Sequence, residues 1–201
     1  MKSSRLEAFS DGVIAILITI MVLYLRPPKG TTIGALSRVV PIVLTYILSF
    51  LYLGIYWNNH HHMFQLVKKV NGAILWANLF LLFSLSLFPF ATDWLGQTHF
   101  AVVPTAAYGV ILLTAAIAYY LLQTAIIANQ GAASALRTAV GRDVKGKISP
   151  LLYLAGVFSS FLNHWVAFGI YCLVALVWLI PDRRVEAHFR TEISADSDPD
   201  E

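Results

Sequence analysis

Long apolar runs separated by short polar stretches dominate the chain. A helix needs about 20 mostly apolar residues to cross the hydrocarbon core of a bilayer, and six runs approach that length. The predicted spans cover residues 6–25, 39–57, 73–92, 104–128, 149–165 and 166–180. The last two form one stretch of about 30 residues, too long for a single span, so we predict a tight hairpin broken near Asn163 and His164. The pattern predicts an all-α membrane protein with six transmembrane helices.

Composition agrees with lipid as the main solvent. Apolar residues make up 58% of the chain and charged residues 12%, against about 25% charged in an ordinary soluble domain, and the mean hydropathy is +0.68. We expect residues 1–182 to form one membrane domain. Residues 183–201 are acidic and rich in Ser and Asp, which predicts a short cytoplasmic tail with a disordered end.

Basic residues fall unevenly on the two sides of the predicted membrane. Eleven of the 14 Lys and Arg residues lie on the side of the two termini, and only Arg26, Lys29 and Arg38 lie on the other. Cytoplasmic loops carry the excess of positive charge, so both termini are predicted to be cytoplasmic. The same placement explains the net charge of +3 without a nucleic-acid partner.

The start of the first span carries unusual chemistry. Residues 12–25 make only about 21 Å of helix, which is too short to span alone. The helix is therefore predicted to pull Phe9, Ser10 and Asp11 into or against the bilayer. A carboxylate in a membrane is costly and normally faces protein or water. Asp11 is therefore predicted to serve function or assembly; the alternative is that it caps the positive end of the helix at the interface.

Helical geometry places an aliphatic stripe with one hydroxyl on one face of this helix. At 3.6 residues per turn the stripe collects Gly12, Ile16, Thr19, Ile20 and Leu23. Asp11 points to the opposite side, so it does not share a wall with Ile16. Such a stripe suits a pathway that closes by dewetting, or it suits ordinary packing and lipid contact. Periodicity does not separate the two.

A polar segment with three consecutive histidines ends the second span. Consecutive helical residues point about 100° apart, so His60, His61 and His62 are not expected to chelate one ion, and we predict no metal site. We expect instead a hydrogen-bonding network at this end that includes Trp57, Asn59 and His60 and meets residues 5–11 on the same membrane side.

Other polar groups within the spans need partners as well. Asn78, Asn163 and His164 are placed at buried depth by the pattern, and interhelical hydrogen bonds are the default account. Pro89 predicts a kink or a helix end in the third span.

The segment Arg5-x-x-x-Phe9-Ser10-Asp11 resembles the signature of the transmembrane protein 175 family of potassium channels. Similar pieces follow along the chain: Trp57-x-Asn59-His60, Pro89-Phe90 and Trp178-x-Ile180-Pro181-Asp182-Arg183-Arg184. The single six-helix unit resembles the prokaryotic members, whereas animal members carry two such units in one chain.

The resemblance implies a homotetramer in a bacterial inner membrane that conducts potassium passively, without a cofactor, through a central pore lined by the first helix of each subunit. It implies a hydrophobic constriction made by Ile16, Ile20 and Leu23 and a potassium preference linked to Thr19. It also implies that Arg5, Phe9, Ser10 and Asp11 hold the pore helix in place. The chain has no pore-loop filter of the Thr-Val-Gly-Tyr-Gly type.

Two other classes of function stay open on the residues. A proton-permeable or proton-coupled carrier would use Asp11 and the histidines as a relay. A membrane enzyme would use the histidine run with a metal, but the sequence has no nucleophile elbow or His-Glu-x-x-His motif to support it.

Overall fold

The computed structural model describes residues 2–67, 69–131, 134–141 and 143–179, and every regular element in these ranges is helical. The helices are α1 (Ser3–Met21, continued by a 3-10 turn at Val22–Tyr24), α2 (Ile33–Ser37), α3 (Val40–Gln65), α4 (Gly72–Ser86), α5 (Phe88–Gln97), α6 (Val102–Gln130), α7 (Ala135–Val140), α8 (Val144–Ser160) and α9 (His164–Leu179). The predicted tail at 183–201 and the motif residues from Ile180 onward lie outside the described residues, as do the basic residues Lys68 and Arg142.

Four helical segments in the described ranges are long and apolar enough to cross a bilayer: Ser3–Tyr24, Val40–Gln65, Gly72–Gln97 and Val102–Gln130. They correspond to the first four predicted spans. The remaining two predictions fall on α8, of 17 residues, and on α9, of which 16 residues are described. The fold is that of a helical membrane protein.

The amino-terminal helix starts well before the apolar run. Helix α1 begins at Ser3, so Phe9, Ser10 and Asp11 are helical, as the predicted span of residues 6–25 requires. Helix α3 likewise runs to Gln65, eight residues past the predicted end at 57, and this corrects the sequence estimate. The Asn and His residues lower the local hydropathy without interrupting the helical hydrogen bonds, so hydropathy alone ends the helix too early.

The third predicted span consists of two helices with a break at Leu87. Helix α4 ends at Ser86 and α5 begins at Phe88, with Pro89 in its first turn. Proline is tolerated there because the missing N–H has no partner within the helix. The predicted kink is confirmed, and the helix then continues to Gln97, five residues beyond the predicted end at 92.

The predicted hairpin near the carboxyl end is present, with shifted boundaries. Helix α8 begins at Val144 rather than at 149, because the Asp143 side chain caps it by accepting a hydrogen bond from the Gly146 N–H at 3.0 Å. It ends at Ser160, and α9 starts at His164. The break at residues 161–163 therefore lies near Asn163 and His164, as predicted, and only the bounds of the two spans at 165 and 166 are corrected.

Helix α6 forms the centre of the packing and contacts α4, α5, α8 and α9. The Tyr171 ring of α9 packs so closely on Gly109 of α6 and Gly156 of α8 that a Cβ at either glycine would overlap it. Helix α1 packs on α3, α4 and α5. No helix within the described ranges packs closely on the other side of α1, so one of its faces is uncovered there.

Candidate functional site

Helix α1 has one packed face and one uncovered aliphatic face. Leu6, Ser10, Ile14, Leu17 and Met21 are buried against the neighbouring helices. On the other face Ile16 is 56% exposed, Ile20 38% and Leu23 74%, and Gly12 and Thr19 are exposed as well. The stripe that helical geometry assembled from the sequence is therefore the part of α1 that its own protomer leaves open.

Thr19 presents an oxygen acceptor on this face. Its hydroxyl hydrogen is shared between the carbonyl oxygens of Ile16 at 2.9 Å and Ala15 at 3.1 Å. A hydroxyl has one hydrogen and two acceptor lone pairs. Because the hydrogen is directed back to the helix, the lone pairs remain available on the exposed side.

A buried hydrogen-bond chain fastens the opposite face of α1. Asn78 of α4 donates through Nδ2 to Ser10 Oγ at 2.9 Å, and Asn78 Oδ1 lies 2.8 Å from His60 Nε2 of α3. Ser10 itself donates to the Leu6 carbonyl oxygen at 2.9 Å, so it accepts from Asn78. Asn78 Oδ1 then accepts from His60, which carries its proton on Nε2. All three residues are fully buried, and the chain joins α1, α4 and α3.

A second polar contact joins α1 to α3 nearer the surface. Glu7 Oε1 lies 2.9 Å from His61 Nδ1, and Gln65 Nε2 lies 2.8 Å from His61 Nε2. The Trp57 ring stacks on the His61 ring with centroids 6.0 Å apart. Sequence reasoning missed Glu7, Gln65 and the role of His61, because nothing along the chain indicates which histidine turns toward α1.

Arg5, Phe9 and Asn59 were predicted to hold α1 or to join the polar network. Their side chains make none of the contacts just described. Arg5 is exposed, and within the described part of the chain its side chain has no hydrogen bond or ion pair. Phe9 is 53% exposed. Asn59 donates to the Ile55 carbonyl oxygen of its own helix at 2.8 Å. The roles given to Arg5 and Phe9 by resemblance stay predictions.

Asn163 and His164 lie far from this network, at the α8–α9 turn. Asn163 is exposed, and its Oδ1 accepts from the Trp165 N–H at 2.9 Å. The expectation that Asn163 sits at depth and bonds across helices is wrong, because the helix break places it at a turn where it caps α9. The His164 ring lies against that of Trp165, with centroids 5.4 Å apart.

A further polar cluster was not found from the sequence. Thr92 Oγ1 lies 2.6 Å from Ser49 Oγ, which lies 2.9 Å from the Tyr108 hydroxyl. The three residues come from α5, α3 and α6. Each is a polar residue inside an apolar run, the same signal that singled out Asn78, and that signal would have found them.

These features define a polytopic helical membrane protein. One face of its first helix packs on and hydrogen-bonds to neighbouring helices, and the opposite face is exposed in the protomer. The family profile described as "Endosomal/lysosomal potassium channel TMEM175" matches residues 5–89. The chain is also 55% identical, over 186 residues, to a protein named as a potassium channel from a Chryseobacterium species, covering 92% of this chain and 97% of that relative. The chain belongs to the TMEM175 family, which is a family of channels and not of enzymes.

Two further relatives bear on its function. The crystal structure of a lysosomal potassium-selective channel TMEM175 homolog from Chamaesiphon minutus superimposes with a TM-score of 0.79 at 28% identity, covering 89% of this chain and 96% of that one. The human endosomal/lysosomal proton channel TMEM175 is 36% identical over 86 residues, which are 37% of this chain and 17% of the human protein.

Proposed function

We propose that this protein is a potassium-permeable channel, formed by four copies around a central pore that α1 of each subunit lines. Each subunit would cross a bacterial inner membrane six times, with α8 and α9 as the last two spans and both termini in the cytoplasm. The observation that carries the proposal is the open aliphatic stripe of α1 opposite its packed face. Family membership supports it, since the relatives from Chryseobacterium and Chamaesiphon minutus are named as potassium channels.

The gate in this proposal is apolar. Ile16, Ile20 and Leu23 extend over about 10 Å of helix at 1.5 Å per residue. Rings of such side chains expel water from a narrow pore, and an ion without its hydration does not enter. A small rotation of α1 would turn the stripe away from the axis and admit water.

Thr19 is proposed to favour potassium. Along α1 it follows Ile16 and precedes Ile20 and Leu23, on the same face of the helix. Its hydroxyl hydrogen is directed to backbone carbonyl oxygens. Four such oxygens at one level would offer the permeant ion a partial replacement for its hydration shell.

In this scheme the Arg5-x-x-x-Phe9-Ser10-Asp11 motif at the start of α1 would hold the pore helix in place. Ser10 does so through Asn78 within the subunit. Arg5 and Phe9, which are exposed in the protomer, would be covered by a neighbouring subunit.

Substitution of Ile16 tests the gate. Ile16→Ala and Ile16→Asn should raise potassium leak from proteoliposomes and lower the preference for potassium over sodium. Leu151→Ala is the matched control, since Leu151 is an aliphatic residue of α8 with 66% exposure and no place in the proposed pore. Unchanged leak in both Ile16 variants, or an equal rise in the control, would refute the role of Ile16.

Proton permeation is the second candidate. The human relative is named as a proton channel, and Asp11 Oδ1 and His60 Nδ1 are buried without hydrogen-bond partners in the described part of the chain. In this alternative Asp11 and the histidines relay protons. A pH-driven flux that Asp11→Asn abolishes, while potassium conductance persists, would favour it.

A further inference from the structure

We propose that Glu7, Asp11 and His61 form a binding site for a transition-metal dication such as Zn²⁺ at the polar end of α1. One imidazole and two carboxylates meet there, and their ligand atoms all lie within 4.8 Å of one another. Glu7 and Asp11 stand four residues apart on α1, hence on one side of the helix, and His61 reaches them from α3. A bound ion would therefore join the two helices.

Asp11 supplies an independent reason for a cation. Its Oδ1 is buried and has no donor among the described residues. A buried acceptor without a hydrogen-bond donor is costly, and within the described ranges no donor offsets that cost. A cation held between Asp11 and Glu7 would satisfy this oxygen and offset two neighbouring negative charges.

The ligands need little movement to close on an ion. Ligand atoms of tetrahedral zinc lie about 3.3 Å apart when the bonds are about 2.0–2.1 Å long. Glu7 Oε1 and His61 Nδ1 are already 2.9 Å apart, and the widest separation has to shrink by about 1.5 Å. The side chains of His61 and Glu7 are 37% and 20% exposed, so they are open to water, from which an ion would enter.

The environment of His61 suits a metal ligand. Gln65 Nε2 now donates to His61 Nε2, which leaves the imidazole proton on Nδ1, toward Glu7. On binding through Nδ1 the neutral ring would shift its proton to Nε2, and the Gln65 amide would turn so that Oε1 accepts it. Hydrogen bonding of the second imidazole nitrogen is what orients most metal-bound histidines.

The ligand set selects the class of ion. Calcium takes six to eight oxygen ligands and magnesium keeps most of its waters, whereas imidazole suits zinc, nickel and copper. Three protein ligands leave a position for water, which is typical of an exchangeable ion rather than of a closed structural site.

The site would act on the pore helix, a consequence that rests on the proposed function. An ion shared by α1 and α3 resists rotation of α1, which carries the aliphatic stripe on its other face. Binding would therefore oppose the rotation of α1 that is proposed to open the gate, and it would reduce potassium flux.

Calorimetric titration of the purified full-length protein with Zn²⁺ tests the site without any need for conduction. We expect one ion per subunit, and roughly tenfold or greater weakening in Glu7→Gln and in His61→Ala, since even outer-shell changes cost 10–100-fold. His62→Ala is the matched control, one residue further along α3, and should bind as the wild type does. Glu7→Gln keeps the shape of the side chain, so misfolding would not explain its loss. Absence of saturable binding, or equal weakening in all three variants, would overturn the site.

Potassium flux in proteoliposomes with and without Zn²⁺ then separates the two proposals. Inhibition in the wild type and in His62→Ala, but not in Glu7→Gln, is the expected result. Zinc binding with undiminished flux would overturn the regulatory role. Zinc binding in a protein that conducts no potassium under any condition would leave the site standing and contradict the proposed function instead.

Discussion

Replacement of Ser10 by alanine measures how firmly α1 is fastened to the helices behind it. The substitution removes the one acceptor that Asn78 Nδ2 has among the residues that the structure describes, at a position where both residues are fully buried. Loss of one partner of a buried hydrogen bond costs about 1–3 kcal/mol in soluble proteins. Interhelical bonds in membranes average about 0.6 kcal/mol and reach about 1.7. We therefore expect Ser10→Ala to lower the free energy of unfolding by about 1 kcal/mol.

A double-mutant cycle isolates this bond. Unfolding in mixed detergent micelles would be measured for Ser10→Ala, Asn78→Ala and the double variant, and a coupling energy of about 0.5–1.5 kcal/mol is expected. Ser86→Ala is the matched control, because Ser86 is an exposed serine whose hydroxyl donates to the Phe83 carbonyl oxygen of its own helix and not to another helix of the described chain. A cycle with no coupling, or a control as destabilised as Ser10→Ala, would refute the anchoring role.

Three further predictions concern packing, selectivity and assembly. Gly109→Ala should destabilise the fold by about 1–3 kcal/mol through overpacking, while Gly169→Ala, which has open space at its Cβ, should leave the thermal midpoint unchanged. Thr19→Val should reduce the potassium-over-sodium permeability ratio, whereas Thr114→Val on α6 should not; equal ratios in both variants would exclude a role for Thr19. Asp11→Asn should weaken the tetramer more than it alters selectivity, so a tetramer of normal mass by light scattering together with changed selectivity would contradict this assignment.

Periodicity within one helix was enough to group the aliphatic residues on one face of α1, but not to tell whether that face is open or packed. Ile16, Ile20 and Leu23 follow the 3.6-residue repeat, and the structure exposes all three. Helix ends were less predictable. Hydropathy ended α3 too early because the polar residues 58–62 remain helical. It started α8 too late because Asp143 caps the helix before the apolar run begins.

Contacts between helices could not be read from the pattern. The need of Asn78 for a partner was evident from its place in an apolar run, but its bonds to Ser10 and His60 depend on how α1 and α3 pack on α4. The meeting of Glu7 with His61 has the same origin. The argument from one helix, that three consecutive histidines point in different directions, stays a prediction, and it could not show that one of them meets a carboxylate of another helix.

The central claim is that α1 of four subunits surrounds the ion pathway. A cryo-electron microscopy map of the detergent-solubilised protein tests it most directly, with the distance of each helix from the symmetry axis as the measured quantity. We predict a fourfold assembly in which Ile16, Ile20 and Leu23 are the side chains nearest the axis and Leu151 faces lipid. A map that places α1 at the lipid-facing periphery, or that shows a lone protomer, would contradict it.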